Sequence, residues 1–449
     1  MNRLPSGVST LAMWTYYPEL LSTPVPRYTS YPTAAEFGDD VGSADLEAAL
    51  AGADGDVSLY VHIPFCERIC WYCGCNTTRN NRAHRLRSYL DALHTEIALV
   101  GERLPATARV RRIAFGGGSP NAIEPVEFVR LMVSLTQTFR VVDPVISVEI
   151  DPRSVTRAWA DTLASVGVRQ ASLGVQTFDL KLQEAIGRVQ AGHLIAECTE
   201  LLRKAGIRSL NFDLMYGLPG QTLAQLEDTL RQAAVLEANR IALFGFAHVP
   251  HLIPRQRQID ATALPDQAER FTMAARGLDL LTDAGYTPVG FDHFALPGDP
   301  LAQAAVSGRL HRNFQGFTDD PAPVLIGLGA SAISSFPKLL VQNEKNTGRY
   351  QMILSQRRLT ATRGIERDAD DRTRAGIIED LLCAGRARIP AALLRTASGC
   401  LAPFAARDLI KIDDDVLILA NAALPYARTI ASVFDRYRID TTRRFSAAV

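Results

Sequence analysis

The chain has 449 residues, of which 47% are apolar and 21% charged, a composition typical of a globular protein with several structural units. Lys plus Arg and Asp plus Glu each number 48, so bulk charge gives no indication of nucleic acid or an anionic membrane as a partner. No apolar run reaches the roughly 18 residues of a membrane span, and the first residues lack a signal-peptide pattern. We therefore expect a cytoplasmic protein.

The chain begins with an expected irregular arm over residues 1–53, which contains a Pro- and Tyr-rich stretch at 26–33. A regular β–α alternation follows. Short β-type runs are predicted at 58–63, 110–115, 145–150, 169–175, 209–215 and 240–246. Amphipathic helices are predicted at 84–100, 124–139, 156–165, 193–205, 223–236 and 266–284. Six such units predict an α/β fold, an open partial (β/α)6 barrel within residues 54–300, with ligands at the carboxyl ends of its strands.

The last third of the chain has a different pattern. Residues 301–360 are expected to connect the barrel to the C-terminal region and to line the active site. Residues 361–449 are expected to form a small, mostly helical domain with a short β-wing. Its predicted helices are 376–384, 391–397 and 426–437, and its predicted wing strands are 409–412 and 416–419. The acidic triplet between those two strands is interpreted as a solvated turn.

Four of the seven cysteines lie within ten residues, directly after the first predicted strand. Cys66, Cys70 and Cys73 have the spacing that lets one short loop hold three corners of a [4Fe–4S] cluster, which leaves one iron open. A zinc site is the alternative, but structural zinc sites usually use two separated Cys pairs. Cys75 is poorly placed for the same cube, so both a substrate-facing and a buried position stay open for it. The remaining cysteines, at 198, 383 and 400, are expected to be buried thiols.

The C-x3-C-x2-C spacing of this loop resembles the signature of the radical S-adenosylmethionine (SAM) superfamily. The resemblance implies that the open iron binds the amino and carboxylate groups of SAM. It also implies that the reduced cluster cleaves SAM to methionine and a 5′-deoxyadenosyl radical. The protein then positions the cofactors and excludes water.

Glycines and polar residues follow the next strands. Three consecutive glycines, of which the last two are Gly117 and Gly118, come after the second strand and are followed by Ser119. Such a turn lets a ligand approach the backbone closely and leaves backbone N–H groups open to bind it. Acceptors suited to ribose hydroxyls or an ammonium group lie at the third to fifth strands, at Glu149, Asp151, Gln176 and Asp213. Each of them alone fits an ordinary cap or turn residue equally well.

His62, beside the cysteine loop, is a candidate for a hydrogen bond to the cluster or for proton transfer, and the histidines at 248, 293 and 311 are candidates for lining the pocket.

Over roughly residues 25–445 the sequence resembles the oxygen-independent coproporphyrinogen III oxidase family. The matching segments are 26–33, 73–76, 149–153, 174–176, 292–294, 311–317, 329–334 and 434–437, with Phe445. The implied reaction is the oxidative decarboxylation of two propionate side chains of coproporphyrinogen III to vinyl groups, which gives protoporphyrinogen IX. A reducing donor such as flavodoxin or ferredoxin and a monomeric enzyme are expected with it.

The resemblance also implies the residues of the site. By position, the first SAM contacts Tyr60, Gly117, Ser119, Glu149, Gln176, Arg188, Asp213, Ala247 and Ile333. A second SAM lies near Cys75, which together with His62 is expected to act in catalysis. The family usually has Thr where this chain has Ser119, so the hydroxyl is kept. Arginines prefer carboxylate partners, and Arg27, Arg153 and Arg312 are candidates to hold the substrate propionates, with surface or intramolecular pairing as the alternative.

Two other classes of function share this cysteine loop. Heme chaperones related to the family generally have Phe where this chain has Cys75, and they lack the arm motif at 26–33, so both features favour the oxidase. Another radical SAM enzyme, such as a methyltransferase or a heme-ring-opening enzyme, is disfavoured by the length of the match.

Overall fold

The computed structural model describes residues 14–79 and 83–438, which are organised around one twelve-stranded sheet. In chain order the strands of this sheet are β1 (Asp56–Ile63), β2 (Arg109–Gly117), β3 (Val141–Ile150), β4 (Gln170–Gln176), β5 (Ser209–Tyr216), β6 (Arg240–Gly245), β7 (Thr287–Val289), β8 (His293–Ala295), β9 (Val324–Leu328), β10 (Ile333–Phe336), β11 (Leu339–Asn343) and β12 (Ala361–Glu366). The first six are the predicted barrel strands. The largest difference is in β3, which begins at Val141 rather than at residue 145.

Strands β1 to β6 are neighbours in sequence order and all pair in parallel. The sheet contains more strands than the six that the sequence predicted. β9 pairs in parallel with β1, with Val57 opposite Val324, and β10, β11 and β12 continue from it in antiparallel fashion. β8 and β7 extend the other edge beyond β6. Part of segment 301–360 is therefore built into the barrel sheet itself.

Six of the seven helices that follow the barrel strands correspond to predicted helices, and Leu180–Ala185 was not predicted. The seven are Ala83–Gly101, Pro125–Thr138, Arg157–Ser165, Leu180–Ala185, Gly192–Lys204, Leu223–Val235 and Gln267–Asp283. In the first, Leu90, Leu93 and Ile97 are buried at helical spacing, so one face packs on the sheet. Every residue of β1 after Asp56 is buried, as expected of a parallel strand covered on both faces. The remaining helices of the described chain are Pro18–Leu21, Ser43–Ala51, Pro300–Val306, Thr347–Ser355, Ala369–Ala384, Ala391–Ala405 and Ala427–Ala431.

The C-terminal region contains two long helices and a small sheet. The wing has three strands, in the order Arg386–Arg388, Val416–Leu419, Ile410–Asp413, of which only the last two were predicted. The expected closing helix at 426–437 is wrong as a continuous element, because α-helix covers only Ala427–Ala431 and 3₁₀ turns flank it. Phe445 lies outside the described residues.

Two of the three isolated cysteines differ from the expectation of burial. Cys198 is buried, Cys383 is half-buried, and Cys400 is exposed on the helix Ala391–Ala405. Among the described helices, none has the length and apolarity to cross a membrane.

The arm packs between the barrel and the C-terminal region. The Tyr28 hydroxyl donates to the Asp435 carboxylate over 2.9 Å, and the Arg436 backbone N–H donates to the Tyr31 hydroxyl over 3.1 Å. Gly38 forms an antiparallel bridge with Gly364 of β12. These contacts hold residues 26–33 against the open side of the barrel.

Candidate active site

The cysteine loop leaves the carboxyl end of β1 and packs against the glycine turn after β2. Four thiols, those of Cys66, Cys70, Cys73 and Cys75, line one cavity of about 720 Å³, which we call the cluster cavity. The backbone N–H of Trp71 donates to the Ile186 carbonyl over 3.1 Å, which ties the middle of the loop to the barrel.

The glycine turn holds the cysteine loop through its own backbone. The N–H groups of Gly118 and Ser119 donate to the carbonyls of Ile63 and Phe65 over 2.9 and 2.8 Å, and the N–H of Gly117 donates to Glu149 over 3.2 Å. The expectation that these groups stay open for a ligand is therefore wrong, because protein acceptors use them. Glycine is required here since a Cβ on Gly118 would lie 2.5 Å from the Phe65 carbonyl oxygen.

Arg188 connects the cysteine loop to the ends of β3 and β4. Its guanidinium donates to the Cys70 sulfur over 3.2 Å and to the Gly174 carbonyl over 2.7 Å, and it lies 3.3 Å from Asp151. Although burial opposes ionisation of Asp151, Arg188 and Arg153 lower the pKa of its carboxyl. A buried positive charge therefore lies beside the sulfur of Cys70.

Two carboxyl groups, those of Glu149 on β3 and Asp213 on β5, face the same cavity from either side of β4. Asp213 accepts hydrogen bonds from Ser172 and Asn211, each over 2.8 Å, and burial raises its pKa. Burial, with Asp213 as a nearby like charge, raises the pKa of Glu149 to about 7. These groups give the cavity acceptors for a cationic or hydroxyl-bearing ligand.

His62 and Tyr60 lie on β1 and line a second, adjoining cavity of about 1240 Å³, the outer cavity. The His62 ring is 3.2 Å from the Tyr60 hydroxyl, 3.3 Å from the Asn76 carbonyl and 3.4 Å from the Ser331 hydroxyl. Burial lowers the pKa of His62 to about 4, so the imidazole is neutral near pH 7. Phe314 packs edge-on against Tyr60 at 5.0 Å between ring centroids.

The thiols of the cysteine loop differ in their electrostatic surroundings. Among the described residues, no group of three or more His, Cys, Asp and Glu side chains is arranged closely enough to hold a metal ion. A hydrogen bond from Cys75 lowers the pKa of the Cys73 thiol to about 6, while burial raises that of Cys66 to about 12. Loading of the site thus needs a metal whose charge compensates the buried thiolate of Cys66.

The other expected SAM residues do not all reach the cluster cavity. Gln176, with a left-handed backbone at φ 66°, and Ser119 do line it. Ile333 lines a different cavity, of about 1250 Å³, between the arm and β9–β11. Ala247 follows β6, and its carbonyl accepts from the Gln256 amide over 3.0 Å.

Comparisons with known proteins agree with this geometry. The radical SAM superfamily model matches residues 60–233. The chain is 41% identical over 426 residues to the oxygen-independent coproporphyrinogen III oxidase of Bradyrhizobium diazoefficiens, covering 92% of this chain and 94% of the relative. It is 36% identical over 426 residues to the Escherichia coli K12 protein of the same name, covering 92% and 93%. The chain belongs to the oxygen-independent coproporphyrinogen III oxidase family.

A solved structure supports the same assignment at the level of the whole fold. Coproporphyrinogen III oxidase from Escherichia coli, described as a radical SAM enzyme, superposes with a TM-score of 0.89 at 34% identity and covers 95% of this chain and 100% of its own. Members of the oxidase family at this similarity span the arm, the barrel and the C-terminal region together. The predicted partial barrel and radical SAM enzyme class are confirmed, and the match favours the oxidase over the chaperone and methyltransferase alternatives.

Membership of this family implies a [4Fe–4S] cluster and SAM as cofactors.

The site also contains a buried residue, Gln256, which supports the cysteine loop and which the sequence did not predict. Gln256 is 1% exposed, and its amide donates to the carbonyls of Tyr72 in the cysteine loop and of Ala247 after β6, each over 3.0 Å. Gln256 therefore links the cysteine loop to the segment after β6. Nothing in the polar stretch around residue 256 distinguishes it as buried.

The candidate substrate arginines have partners within the protein. Arg153 pairs with Asp151 at 2.6 Å, and its guanidinium lies 3.6 Å from the Cys70 sulfur, so it serves the cysteine loop. Arg312 donates to the backbone carbonyls of Tyr28 and Arg27. Arg27 donates to the Gly245 carbonyl.

The other histidines also have local partners. His248 is 3.3 Å from the Gln256 carbonyl, and His311 is half-exposed beside Glu379. His293 pairs with Asp292 at 2.6 Å and lines a cavity inside the barrel.

Gly118→Ala is expected to destabilise the protein by about 2 kcal/mol, because the new methyl group overlaps the Phe65 carbonyl and must displace the cysteine loop. Iron content after reconstitution should fall in parallel. Urea unfolding and iron analysis measure both effects. Gly376→Ala is the control, since its Cβ meets no atom within 4 Å on an α-helix, and it should stabilise by up to about 1 kcal/mol. Equal stability of the two variants would contradict the packing argument.

Glu149→Gln is expected to change the pH dependence of stability in the protein without SAM. In the folded protein the pKa of Glu149 is about 7, above the ordinary value near 4.5. The contribution of Glu149 to the free energy of unfolding is therefore fully present below pH 4.5 and is lost as the pH rises through 7. The variant should therefore be more stable than the parent by about 3 kcal/mol near pH 8 and similar to it near pH 4. Glu184→Gln, at an exposed position, should show no such pH difference. Parallel urea titrations at both pH values test this.

Proposed function

We propose that the chain catalyses the oxygen-independent oxidative decarboxylation of two propionate side chains of coproporphyrinogen III, which gives protoporphyrinogen IX. The observation that carries the proposal is the cluster cavity, where Cys66, Cys70 and Cys73 lie beside Glu149 and Asp213 in a chain related over its length to oxidases of that name. When bound, a [4Fe–4S] cluster and SAM would supply a 5′-deoxyadenosyl radical that abstracts the β-hydrogen of a propionate, and the substrate radical would then lose carbon dioxide and pass one electron to a one-electron acceptor, which leaves the vinyl group.

The residues of the chain have separate tasks in this proposal. The three cysteines would hold the cluster, and the positively charged Arg188 guanidinium donates a hydrogen bond to the Cys70 sulfur. Glu149 and Asp213 accept hydrogen bonds from the ammonium and hydroxyl groups of SAM. Neutral His62 holds the end of the cysteine loop through the Asn76 carbonyl.

Two SAM molecules are part of the proposal. The cluster cavity and the outer cavity share Cys75, Gly117 and Glu149 in their walls, so two ligands can lie side by side with Cys75 between them. Tyr60 and Phe314 line the outer cavity and do not line the cluster cavity. Equilibrium dialysis of SAM against the reconstituted protein should give two molecules per chain.

The electron donor and the compartment also belong to the proposal. Reductive cleavage needs a one-electron donor, for which flavodoxin or ferredoxin is the proposed class. Four free thiols in one loop suit a reducing compartment such as the cytoplasm. A monomeric enzyme is part of the same proposal.

The test is an anaerobic assay of the reconstituted protein with coproporphyrinogen III, SAM and dithionite. Formation of protoporphyrinogen IX together with 5′-deoxyadenosine is the expected result. Tight binding of heme without decarboxylation would instead identify a heme carrier. Formation of 5′-deoxyadenosine with a methylated or ring-opened product would assign another radical reaction.

A further inference from the structure

The outer cavity has a buried end and an end that opens to solvent. Tyr60 and His62, both on β1, are buried where they line it. Leu252, which is 64% exposed, and the exposed Lys345 line the open end, which we call the mouth. Cys75 lines both this cavity and the cluster cavity, so a ligand that enters at the mouth extends toward the cluster.

Two cations of this cavity come from segments that the cysteine loop joins. Arg255 belongs to the 3₁₀ turn Pro254–Gln258, and Lys345 follows β11. The Arg255 guanidinium donates to the Thr77 hydroxyl over 3.2 Å, and the Asn76 amide donates to the Lys345 carbonyl over 3.1 Å. The end of the cysteine loop therefore links the two segments that carry the cations.

Neutral groups orient the Arg255 side chain. Besides the Thr77 hydroxyl, its guanidinium donates to the Cys75 carbonyl over 3.5 Å, and it forms no ion pair with a carboxylate of the described residues. Such contacts orient a cation without balancing its charge, and they leave further guanidinium N–H donors for a ligand.

The Lys345 ammonium has neither a hydrogen bond nor an ion pair within the part of the chain that the structure describes. The neighbouring Glu344 attracts its charge, but that carboxylate already accepts from the Asn346 N–H over 2.7 Å. Burial, with Arg363 as a like charge, lowers the pKa of Lys345. An anion at the mouth would therefore stabilise the charged ammonium.

The remainder of the cavity wall suits an organic ligand. Leu252, Ile253, Pro254 and Phe314 give it apolar surface, and Glu149, whose side chain also lines the cluster cavity, is the single carboxylate among its described residues. An apolar wall beside two cations fits a molecule that ends in a carboxylate, because the carbon skeleton packs on the wall and the carboxylate accepts the N–H donors.

We propose that Arg255 and Lys345 together bind a carboxylate at the mouth of the outer cavity. A propionate of the porphyrinogen and the methionyl carboxylate of the second SAM both supply this chemistry, and each source rests on the function proposed above. Since the mouth and the cluster cavity are different places, a propionate held here is not the one that reacts. The two cations are then positioning residues that orient the macrocycle.

Binding measurements without turnover test the site. Coproporphyrin III, a stable aromatic tetracarboxylic acid, and its tetramethyl ester are titrated against the reconstituted protein by fluorescence, and SAM is measured by equilibrium dialysis. Arg255→Gln and Lys345→Gln should each weaken binding of the carboxylate ligand about tenfold or more. Binding of the ester, which has no carboxylate, should not change. Lys345→Arg should recover most of the affinity because it keeps the cation.

Two exposed cations outside the cavity are the controls. Arg257→Gln lies in the same 3₁₀ turn and Lys338→Gln lies before β11, and neither residue lines the cavity, so both variants should bind every probe as the parent does. Iron content is measured for each variant, because Arg255 contacts the cysteine loop. Lys345→Gln removes no described side-chain hydrogen bond, so it tests the charge even if Arg255→Gln loses iron.

The outcomes separate the two sources from each other and from failure. Weakened binding of coproporphyrin III with parent-like SAM binding assigns the site to a propionate. Loss of one bound SAM with parent-like binding of coproporphyrin III assigns it to the second SAM. Parent-like binding of both acids by Lys345→Gln and by iron-loaded Arg255→Gln would overturn the proposal. The function proposed above falls only if the parent itself makes no protoporphyrinogen IX in the anaerobic assay.

Discussion

Cys70→Ser is expected to abolish reductive cleavage of SAM, lowering 5′-deoxyadenosine formation by about 1000-fold or more. Cys70 is buried in the cluster cavity, and Arg188 donates to its sulfur over 3.2 Å. A serine hydroxyl stays protonated and neutral, so it does not replace the thiolate ligand that a cluster needs. The measurement is 5′-deoxyadenosine released under dithionite, together with iron and sulfide per chain.

The control for this prediction is Cys400→Ser. Cys400 is an exposed thiol of the C-terminal region, so its replacement should leave iron content and 5′-deoxyadenosine formation at the parent level. Full activity of Cys70→Ser, with parent-like iron content, would contradict the assignment of Cys70 as a ligand of the cluster.

Glu96→Ala is expected to cost roughly 5 kcal/mol of stability, the largest loss foreseen for one residue outside the cysteine loop. Glu96 is 2% exposed, and its carboxylate accepts from the Gly329 N–H, the Asn343 amide, the Tyr350 hydroxyl and the Thr360 hydroxyl. Removing it leaves four buried donors without that acceptor. The free energy of unfolding in urea measures the effect.

The same substitution should also disturb the site, since Glu96 holds the turn after β9. Tyr89 donates to the His62 carbonyl and accepts from the Ala330 N–H next to that turn. Glu102→Ala is the matched control: Glu102 is an exposed partner of Arg357, worth at most about 1 kcal/mol. A loss for Glu96→Ala no greater than for Glu102→Ala would contradict the role of the network.

The parts of the fold that were predictable carry local signals. β1 to β6 and their helices alternate at a regular spacing, and glycines at helix ends mark the turns, as at Gly167 and Gly206 with φ of 81° and 87°. β9 is a short apolar run whose partner is β1, and no local pattern encodes a pairing between such distant segments. β7, β8 and the wing strand Arg386–Arg388 have three residues each, too few for a period to show.

The residues of the site also divide into those that local sequence signals predict and those that they do not. Cys66, Glu149 and Asp213 were predictable as candidates because they lie on or directly after recognisable strands, and the parallel strands bring them to one cavity. The positions of Ile333 and Gln256 depend on long-range packing, which residue type does not report. The engaged N–H groups of the glycine turn were not predictable either, because their acceptors belong to the cysteine loop.

The pairing of β9 with β1 has a consequence for biosynthesis. His62 and Ser331 are 269 positions apart in the chain, yet the side of β1 that carries the cysteine loop is covered only when β9 and the turn after it have docked. During translation the nascent β1 therefore leaves the ribosome with one edge unpaired, and it stays exposed until the last third of the chain follows, a delay of tens of seconds at roughly 5–20 residues per second. Closure of this edge of the barrel is consequently a late event in synthesis, and until then the unpaired strand is a target for chaperones.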